Sequence, residues 1–128
     1  MTKGARILVA DDDPASLELI TVVLREEGYQ VSNASDGNLA LGMGTTGDFD
    51  LVILDIHMPM YDGVEVLQML RKRHVRRPIK VIALTADSSD ETHRALDASG
   101  VDALLVKPVD LEMLRKEVSR LTAVRPAK

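Results

Sequence analysis

Cysteine and tryptophan are absent from this chain of 128 residues, and aromatic residues make up only 2% of it. Without cysteine, neither a disulfide framework nor a thiolate metal site can form, and the composition suits a reducing cytosol. The aromatic side chains Tyr29, Phe49 and Tyr61 are too scattered to form a platform for stacking nucleic-acid bases. Thiol chemistry and base stacking are therefore not expected.

Membrane-spanning segments and a broad basic face are also missing from the sequence. No apolar run approaches the length that crosses a bilayer, and no signal-like stretch precedes the first apolar segment. The formal net charge is -4, which argues against nucleic acid as a direct partner. The basic cluster at residues 71–77 is interpreted as the solvated carboxyl end of a helix. We expect a cytoplasmic protein without a membrane partner.

The composition is that of an ordinary folded domain. Hydrophobic residues make up 45% of the chain and charged residues 28%, and a chain of this length is typical of one domain. We therefore expect a single domain over residues 1–128, with a core from about 5 to 122 and a loose tail at 123–128.

Five short apolar runs alternate with longer segments of helical character. The runs lie near residues 7–10, 30–34, 51–54, 81–84 and 103–106. Continuous apolar runs are typical of strands covered on both faces, and helices between them imply parallel pairing. The pattern predicts a three-layer, doubly wound α/β domain with a five-stranded parallel sheet. In such domains the ligand crevice lies at the carboxyl ends of the strands.

Capping residues predict where the helices begin and end. The predicted starts are, in order, Asp13 before Pro14, the pair Asp62 and Glu65, the pair Ser88 and Glu91, and Asp110. Gly28 ends the first helix, which spans about 14–27. The second helix, about 37–46, has the weakest pattern, because Gly42 and Gly44 each cost about 1 kcal/mol relative to alanine inside a helix.

Polar side chains that can take part in binding or catalysis lie at four of the predicted strand ends. Asp11 and Asp12 follow the first run, Asp55 follows the third, Thr85 ends the fourth and Lys107 follows the fifth. Because the carboxyl ends of parallel strands meet at one edge of a sheet, we expect these groups to lie together.

Three crowded carboxylates require a cation, since each like-charged pair near 4 Å repels by about 4 kcal/mol at an effective dielectric of 20. The candidate ligands are oxygens, with no histidine pair at ligand spacing, which favours Mg²⁺, with Mn²⁺ as a substitute. Mg²⁺ commonly leaves coordination positions to water and phosphate oxygens. The site therefore suits a phosphoryl group.

Phosphoryl transfer needs a nucleophile and positive charge around the transferred group. Asp55 can attack phosphorus to form an acyl phosphate, Lys107 supplies a mobile point charge, and the Thr85 hydroxyl can donate to a phosphoryl oxygen. Each residue type has a distinct task.

Over essentially its whole length, the chain resembles the receiver domain of two-component response regulators. The resemblance rests on Asp11-Asp12, on Asp55 with Met58-Pro59 and Asp62-Gly63, on Thr85-Ala86, and on Lys107-Pro108. It implies a flavodoxin-like sheet with strand order 2-1-3-4-5.

The resemblance also implies a role for each site residue. Asp55 would be the phosphoacceptor; Asp12, Asp55 and the His57 carbonyl would bind Mg²⁺ directly; Asp11 would act partly through water; and Thr85 and Lys107 would hold phosphoryl oxygens. The peptide bond before Pro108 is commonly cis in this family.

Residues that modulate such a switch are also implied by the resemblance. Leu104 occupies the position where the family often has an aromatic switch residue. His57 and Asp87 occupy two positions that tune phosphorylation rates, and Ala86 and Pro108 adjoin the pocket. An output surface gated by an aromatic rotamer is therefore not expected.

The predicted function is a phosphorylation switch. A histidine kinase or histidine phosphotransferase would phosphorylate Asp55, and helix four, strand five and helix five, roughly residues 88–122, would then bind an effector. The same surface is a candidate for dimerisation. The chain is either a free-standing receiver or part of a larger regulator or hybrid kinase.

Two alternatives remain open from the sequence. A phosphatase with an aspartyl nucleophile would use a similar pocket, but such enzymes usually carry a second aspartate two positions later, where this chain has His57. A scaffold that is never phosphorylated is the other alternative. Failure to bind fluoroberyllate with Mg²⁺ would favour the scaffold.

Overall fold

Five strands and five helices alternate along the chain in a computed structural model that describes residues 4–58, 63–73, 79–86 and 89–123. In chain order they are β1 (Arg6–Ala10), α1 (Pro14–Glu26), β2 (Gln30–Ala34), α2 (Gly37–Thr46), β3 (Leu51–Asp55), α3 (Gly63–Arg73), β4 (Lys80–Thr85), α4 (Asp90–Ala98), β5 (Ala103–Val106) and α5 (Leu111–Thr122). Each predicted strand is present, with bounds within one residue of the prediction. None of the described helices has the length and apolar character needed to span a membrane.

The strands form one parallel sheet in the order β2-β1-β3-β4-β5. In the register of the central strands, Ile53 of β3 lies opposite Val9 of β1 and Ile82 of β4. This confirms the predicted flavodoxin-like order and places the carboxyl ends of β1, β3, β4 and β5 along one edge.

Side chains of β3 alternate between two hydrophobic clusters, one on each face of the sheet. Leu51 and Ile53 belong to the cluster that includes residues of α1 and α5. Val52 and Leu54 belong to the cluster that includes residues of α2 and α3. All four side chains are fully buried, which explains why the strand has a continuous apolar sequence.

Two of the predicted helix boundaries are refined by the structure. The first helix ends at Glu26 with Glu27 as its C-cap, and Gly28 follows with φ of 99°, a left-handed conformation that glycine adopts without strain. The predicted start of the fourth helix at Ser88 is wrong by one residue, because Ser89 is the N-cap and accepts from Thr92 N.

The second helix forms over its full predicted length despite its glycines. A Cβ atom on Gly44 would lie 2.6 Å from Cδ2 of the buried Leu70. Gly44 therefore lets α2 pack closely against α3, which offsets its low helix propensity.

Arg71 was predicted to be part of a solvated helix end, but its side chain contacts other elements of the fold. Its guanidinium donates to the carbonyls of Ile79 and Gly100 and forms an ion pair with Asp102 at 3.4 Å. Asp102 in turn accepts from the backbone N–H of Val81 at 2.7 Å. Arg71 therefore links α3 to β4 and to the turn before β5, at the edge of the sheet opposite the carboxylate cluster.

Several predictions concern residues outside the described ranges. They are the cap at Asp62, the modulating position Asp87, the side chain of Ser88, residues 74–77 of the basic cluster, and the loose tail beyond Ala123.

Candidate functional site

The carboxyl edge of the sheet brings together the side chains predicted from the strand ends. Asp11 directly follows β1, Asp55 is the last residue of β3, Thr85 is the last residue of β4, and Lys107 directly follows β5. Because β1, β3 and β4 are neighbours and β5 flanks β4, the sheet order itself assembles the group.

Three carboxylates form a cluster at this edge. One oxygen from each of Asp11, Asp12 and Asp55 lies within 4.8 Å of the other two. Asp11 and Asp55 are 0% and 4% exposed, whereas Asp12 is exposed. The cluster therefore has a buried side against the sheet and an open side toward solvent.

Lys107 links two of these carboxylates. Its Nζ atom lies 3.0 Å from Asp55 Oδ2 and 3.0 Å from Asp11 Oδ2. Burial opposes the charge on this ammonium, but its contacts with Asp11 and Asp55 outweigh burial, so the pKa of Lys107 is raised above 10.5. The residue is a cation at neutral pH.

Asp55 is held in place by donors on both of its oxygens. The backbone N–H of His57 donates to Oδ1 at 3.0 Å, and Lys107 Nζ donates to Oδ2 at 3.0 Å. Burial raises the pKa of Asp55 above 3.8, and the nearby Asp11 raises it further, although these two donors oppose the shift. The ionised Asp55 carboxylate is therefore held in one orientation, but the two donors offset only part of the cost of burying its negative charge.

The cluster fits a divalent, oxygen-loving cation. Three carboxylates and one ammonium carry a formal charge of -2 within the described part of the site. Asp11 Oδ2 is buried, and no described donor makes a well-aligned hydrogen bond to it, although Lys107 Nζ is close. An acceptor of this kind can ligate a metal ion, and an all-oxygen donor set favours Mg²⁺ over softer metals.

Thr85 and Lys107 are connected through the backbone. The amide of Lys107 donates to the carbonyl of Thr85 at 2.7 Å, and the Lys107–Pro108 peptide bond is cis, as the resemblance implied. Thr85 is fully buried, whereas the adjoining Ala86 is exposed. This contact ties the end of β4 to the chain that leaves β5.

Leu104 packs against the smallest of the three hydrophobic clusters. That cluster contains Ile56, Ala83 and Leu96, with Leu104 partly buried against it. Leu96 is the one buried residue of α4. The fourth helix is therefore held to the sheet by fewer apolar side chains than α5, which buries Leu114, Val118 and Leu121.

Two of the histidines lie in the described part of the chain. His57 is exposed beside the carboxylates, and its backbone amide orients Asp55. His93 is half-buried, and its Nε2 atom is buried without a hydrogen-bond partner among the described residues. The orienting role of the His57 amide was missed by sequence reasoning, because a backbone donor leaves no residue signature.

Comparison with known proteins identifies the family. The profile of the response regulator receiver domain matches residues 7–119. The chain is 40% identical over 120 residues to the response regulator PleD of Caulobacter vibrioides, covering 93% of this chain and 26% of PleD. It is 35% identical over 126 residues to the sensor histidine kinase GacS of Pseudomonas protegens, covering 96% of this chain and 14% of GacS.

Solved structures of receiver domains share the fold. The receiver domain of sensor histidine kinase PA1611 from Pseudomonas aeruginosa, with magnesium coordinated in its active-site cleft, superposes with a TM-score of 0.85 at 26% identity, covering 94% of this chain and 99% of that one. The chemotaxis response regulator CheY4 of Vibrio cholerae gives a TM-score of 0.86 at 30% identity, covering 93% and 99%. The chain spans less than half the length of the curated relatives first matched.

Proposed function

The chain belongs to the response regulator receiver domain family, and we propose that it is a phosphorylation switch in which Asp55 accepts a phosphoryl group from a phosphohistidine. The bond between the donor nitrogen and phosphorus breaks while a bond between an Asp55 carboxylate oxygen and phosphorus forms. The electron pair of the broken bond stays on the donor imidazole. The product is an acyl phosphate that water later hydrolyses.

The contact of Lys107 with both Asp55 and Asp11 is the observation that carries this proposal. An ammonium on a flexible stem can move from the carboxylate to a phosphoryl oxygen as negative charge arrives there. The His57 amide keeps Asp55 oriented during the approach of the donor. Thr85, at the neighbouring strand end, is proposed to donate its hydroxyl to a second phosphoryl oxygen.

Receiver domains bind Mg²⁺ at an acidic pocket, and the cluster found here fits that ion. We assign Asp11, Asp12, Asp55 and the His57 carbonyl as the residues that would hold it. When bound, the ion neutralises negative charge on the carboxylates and on the phosphoryl oxygens. Mn²⁺, which has similar ligand preferences, is proposed as a substitute.

The output is proposed to be a changed surface on α4, β5 and α5. Addition of a dianionic group beside Thr85 changes the charge at the end of β4, which is hydrogen-bonded to the chain leaving β5. Leu104 and the lightly anchored α4 can then repack around Leu96. Ala86 and Pro108, which adjoin the pocket, are proposed to modulate this step, as is Asp87, which lies outside the described residues.

Receiver domains interact with histidine kinases and with downstream effectors. For this chain we propose a histidine kinase or histidine phosphotransferase as donor and an effector protein or domain as the binding partner. The α4, β5 and α5 surface is also the proposed site of any dimer. Cytoplasmic location and the absence of direct nucleic-acid binding remain predictions from composition.

The proposal is tested by incubating the protein with acetyl phosphate and Mg²⁺ and measuring the intact mass. The wild type is expected to gain the mass of one phosphoryl group, whereas Asp55→Asn gains none, because its amide is not a competent nucleophile. The matched control is Asp97→Asn on the exposed face of α4, which should be phosphorylated like the wild type.

Phosphorylation of Asp55→Asn, or of the wild type equally well in excess EDTA, would contradict the proposed site or its metal dependence. Continuous turnover of a small phosphoester that depends on Asp55 would instead support the phosphatase alternative.

A further inference from the structure

A second concave surface lies between α2 and α3, formed by residues other than those of the acidic cluster. It is an open groove of about 660 Å³, and its apolar lining includes Leu39, Leu41, Met43 and Met69. Leu39 is 47% exposed and Met69 is 37% exposed, so both rank among the most exposed large apolar side chains of the described residues. Flexible methionine side chains let such a surface adapt to a partner.

Gly42 also lines this groove, and the fold itself does not account for it. It lies inside α2, where glycine is less favourable than every ordinary residue except proline. A Cβ atom there would meet no atom of the described residues within 4 Å, and the φ angle is not in the left-handed region. Gly44 in the same helix is different, because its Cβ would press on Leu70. A helix glycine without an internal reason allows another molecule to approach the backbone closely.

Among the described residues, Lys72 is the one charged residue that lines the groove. It makes no ion pair with any residue in the described ranges, and it is exposed. The chain as a whole carries a net charge of -4, but Lys72 belongs to the basic cluster at residues 71–77. An apolar groove with a cation at one place is complementary to an apolar segment that carries a carboxylate.

We propose that the α2–α3 groove binds an amphipathic helix of a partner protein, with apolar side chains in the groove and an acidic residue beside Lys72. The lining residues of α2 extend from Asn38 to Thr45, about 10 Å or two helical turns. That length suits side chains at positions i, i+3 or i+4, and i+7 of a docked helix. The Gly42 backbone provides the place of closest approach.

The test uses a synthetic helical peptide of 14 residues with three leucines at that spacing and one glutamate beside the last of them. Methyl NMR spectra of the full chain are recorded as this peptide is added. Shifts are expected at Leu39, Met43 and Met69 and should saturate. A second peptide with lysine in place of the glutamate should bind at least tenfold more weakly, and Lys72→Glu should reverse this preference.

Gly42→Ala separates binding from folding. The added methyl group should weaken binding of the glutamate peptide at least tenfold while raising the melting temperature by about 4 °C, because alanine favours the helix. The control Met113→Ala removes a side chain that is 52% exposed on α5 and should leave binding unchanged.

Equal binding by Gly42→Ala and the wild type would overturn the proposal, as would shifts that saturate elsewhere on the surface. Broadening of the groove signals with protein concentration and no peptide would show that a second copy of this chain covers the groove instead. None of these readouts depends on phosphorylation of Asp55, so they are independent of the proposed switch.

Discussion

Asp55 illustrates, at the scale of one residue, how a functional group can lower the stability of its own fold. Its carboxylate is buried at a strand end, and burial is the largest cause of its raised pKa. The amide of His57 and the ammonium of Lys107 offset only part of this cost. Residues placed for chemistry commonly carry such a penalty.

Asp55→Asn should stabilise the protein in EDTA, and the gain should depend on pH. Since the pKa of Asp55 is higher in the folded state, its favourable contribution is complete below about 3.8 and is lost as pH rises through the folded pKa. The variant cannot ionise at this position. Its melting temperature should therefore exceed that of the wild type by a margin that is larger at pH 7 than at pH 4.

Thermal unfolding followed by circular dichroism at several pH values measures this margin. Asp97→Asn, on the exposed face of α4, supplies the control for a simple change in net charge. A margin that is constant with pH, or that shrinks toward neutral pH, would be inconsistent with a raised pKa for Asp55.

Lys107 and Asp11 show which features of the site can be predicted from the sequence and which cannot. A lysine and an aspartate at strand ends were predicted to meet, because parallel strands share their carboxyl edge. Their arrangement, with one ammonium 3.0 Å from each of two carboxylates, depends on side-chain conformations that strand patterns do not specify.

At the scale of elements, the hydroxyl of Ser89 caps the start of α4. Ser89 Oγ accepts from Thr92 N at 3.3 Å, and acidic residues occupy the first turn, where they interact favourably with the helix dipole. Capping-box spacing in the sequence favoured Ser88 instead. Because Ser88 and Ser89 are adjacent, the sequence alone does not determine which of them caps the helix. The three-dimensional structure identifies Ser89.

Ser89→Ala should lower the free energy of unfolding by about 1 kcal/mol, because the helix loses its N-cap acceptor. Urea denaturation measures the change, and Ser88→Ala is the adjacent control, expected to have a smaller effect. If Ser88→Ala lowered the free energy of unfolding more than Ser89→Ala does, the result would support Ser88 as the N-cap, as predicted from the sequence.

The glycines of α2 serve different purposes at neighbouring positions. Gly44 permits close packing on Leu70, whereas Gly42 faces open space. From the sequence both positions only weakened the helix prediction, since propensity is a local quantity. Whether a glycine is needed depends on which atoms approach it from another element.

Gly44→Ala should therefore be less stable than Gly42→Ala by about 1–3 kcal/mol, the usual cost of overpacking a well-filled interface. The two variants have the same composition, so urea denaturation compares position alone. Equal stability would mean that the Leu70 side chain moves aside at little cost.

At the scale of the whole molecule, one sheet joins two large hydrophobic clusters. Alternate residues of β3 enter the two clusters, which lie on opposite faces. A change in either cluster therefore alters a strand that both share. Cooperative unfolding is the expected consequence for a domain of this size.

Leu70→Ala and Leu114→Ala test this cooperativity from opposite faces of the sheet. Both leucines are fully buried, one in each cluster, and each truncation should cost about 2–5 kcal/mol. Methyl NMR signals from both clusters and far-UV circular dichroism should share one urea midpoint in each variant. Separate midpoints for the two clusters would contradict a single cooperative unit.

The sequence by itself determined the alternation of strands and helices, the parallel pairing, and the residue types at the carboxyl edge. These properties follow from apolar periodicity and from the geometry common to all parallel sheets. The strand order was reached through family resemblance and then observed, because five similar apolar runs do not encode which neighbours pair.

Only the tertiary structure decided how the side chains meet. The ammonium between Asp11 and Asp55, the Arg71 contacts that cross from α3 to the turn before β5, and the groove beside Gly42 all join residues that are distant along the chain. Their distances depend on packing between elements, which a local pattern does not contain.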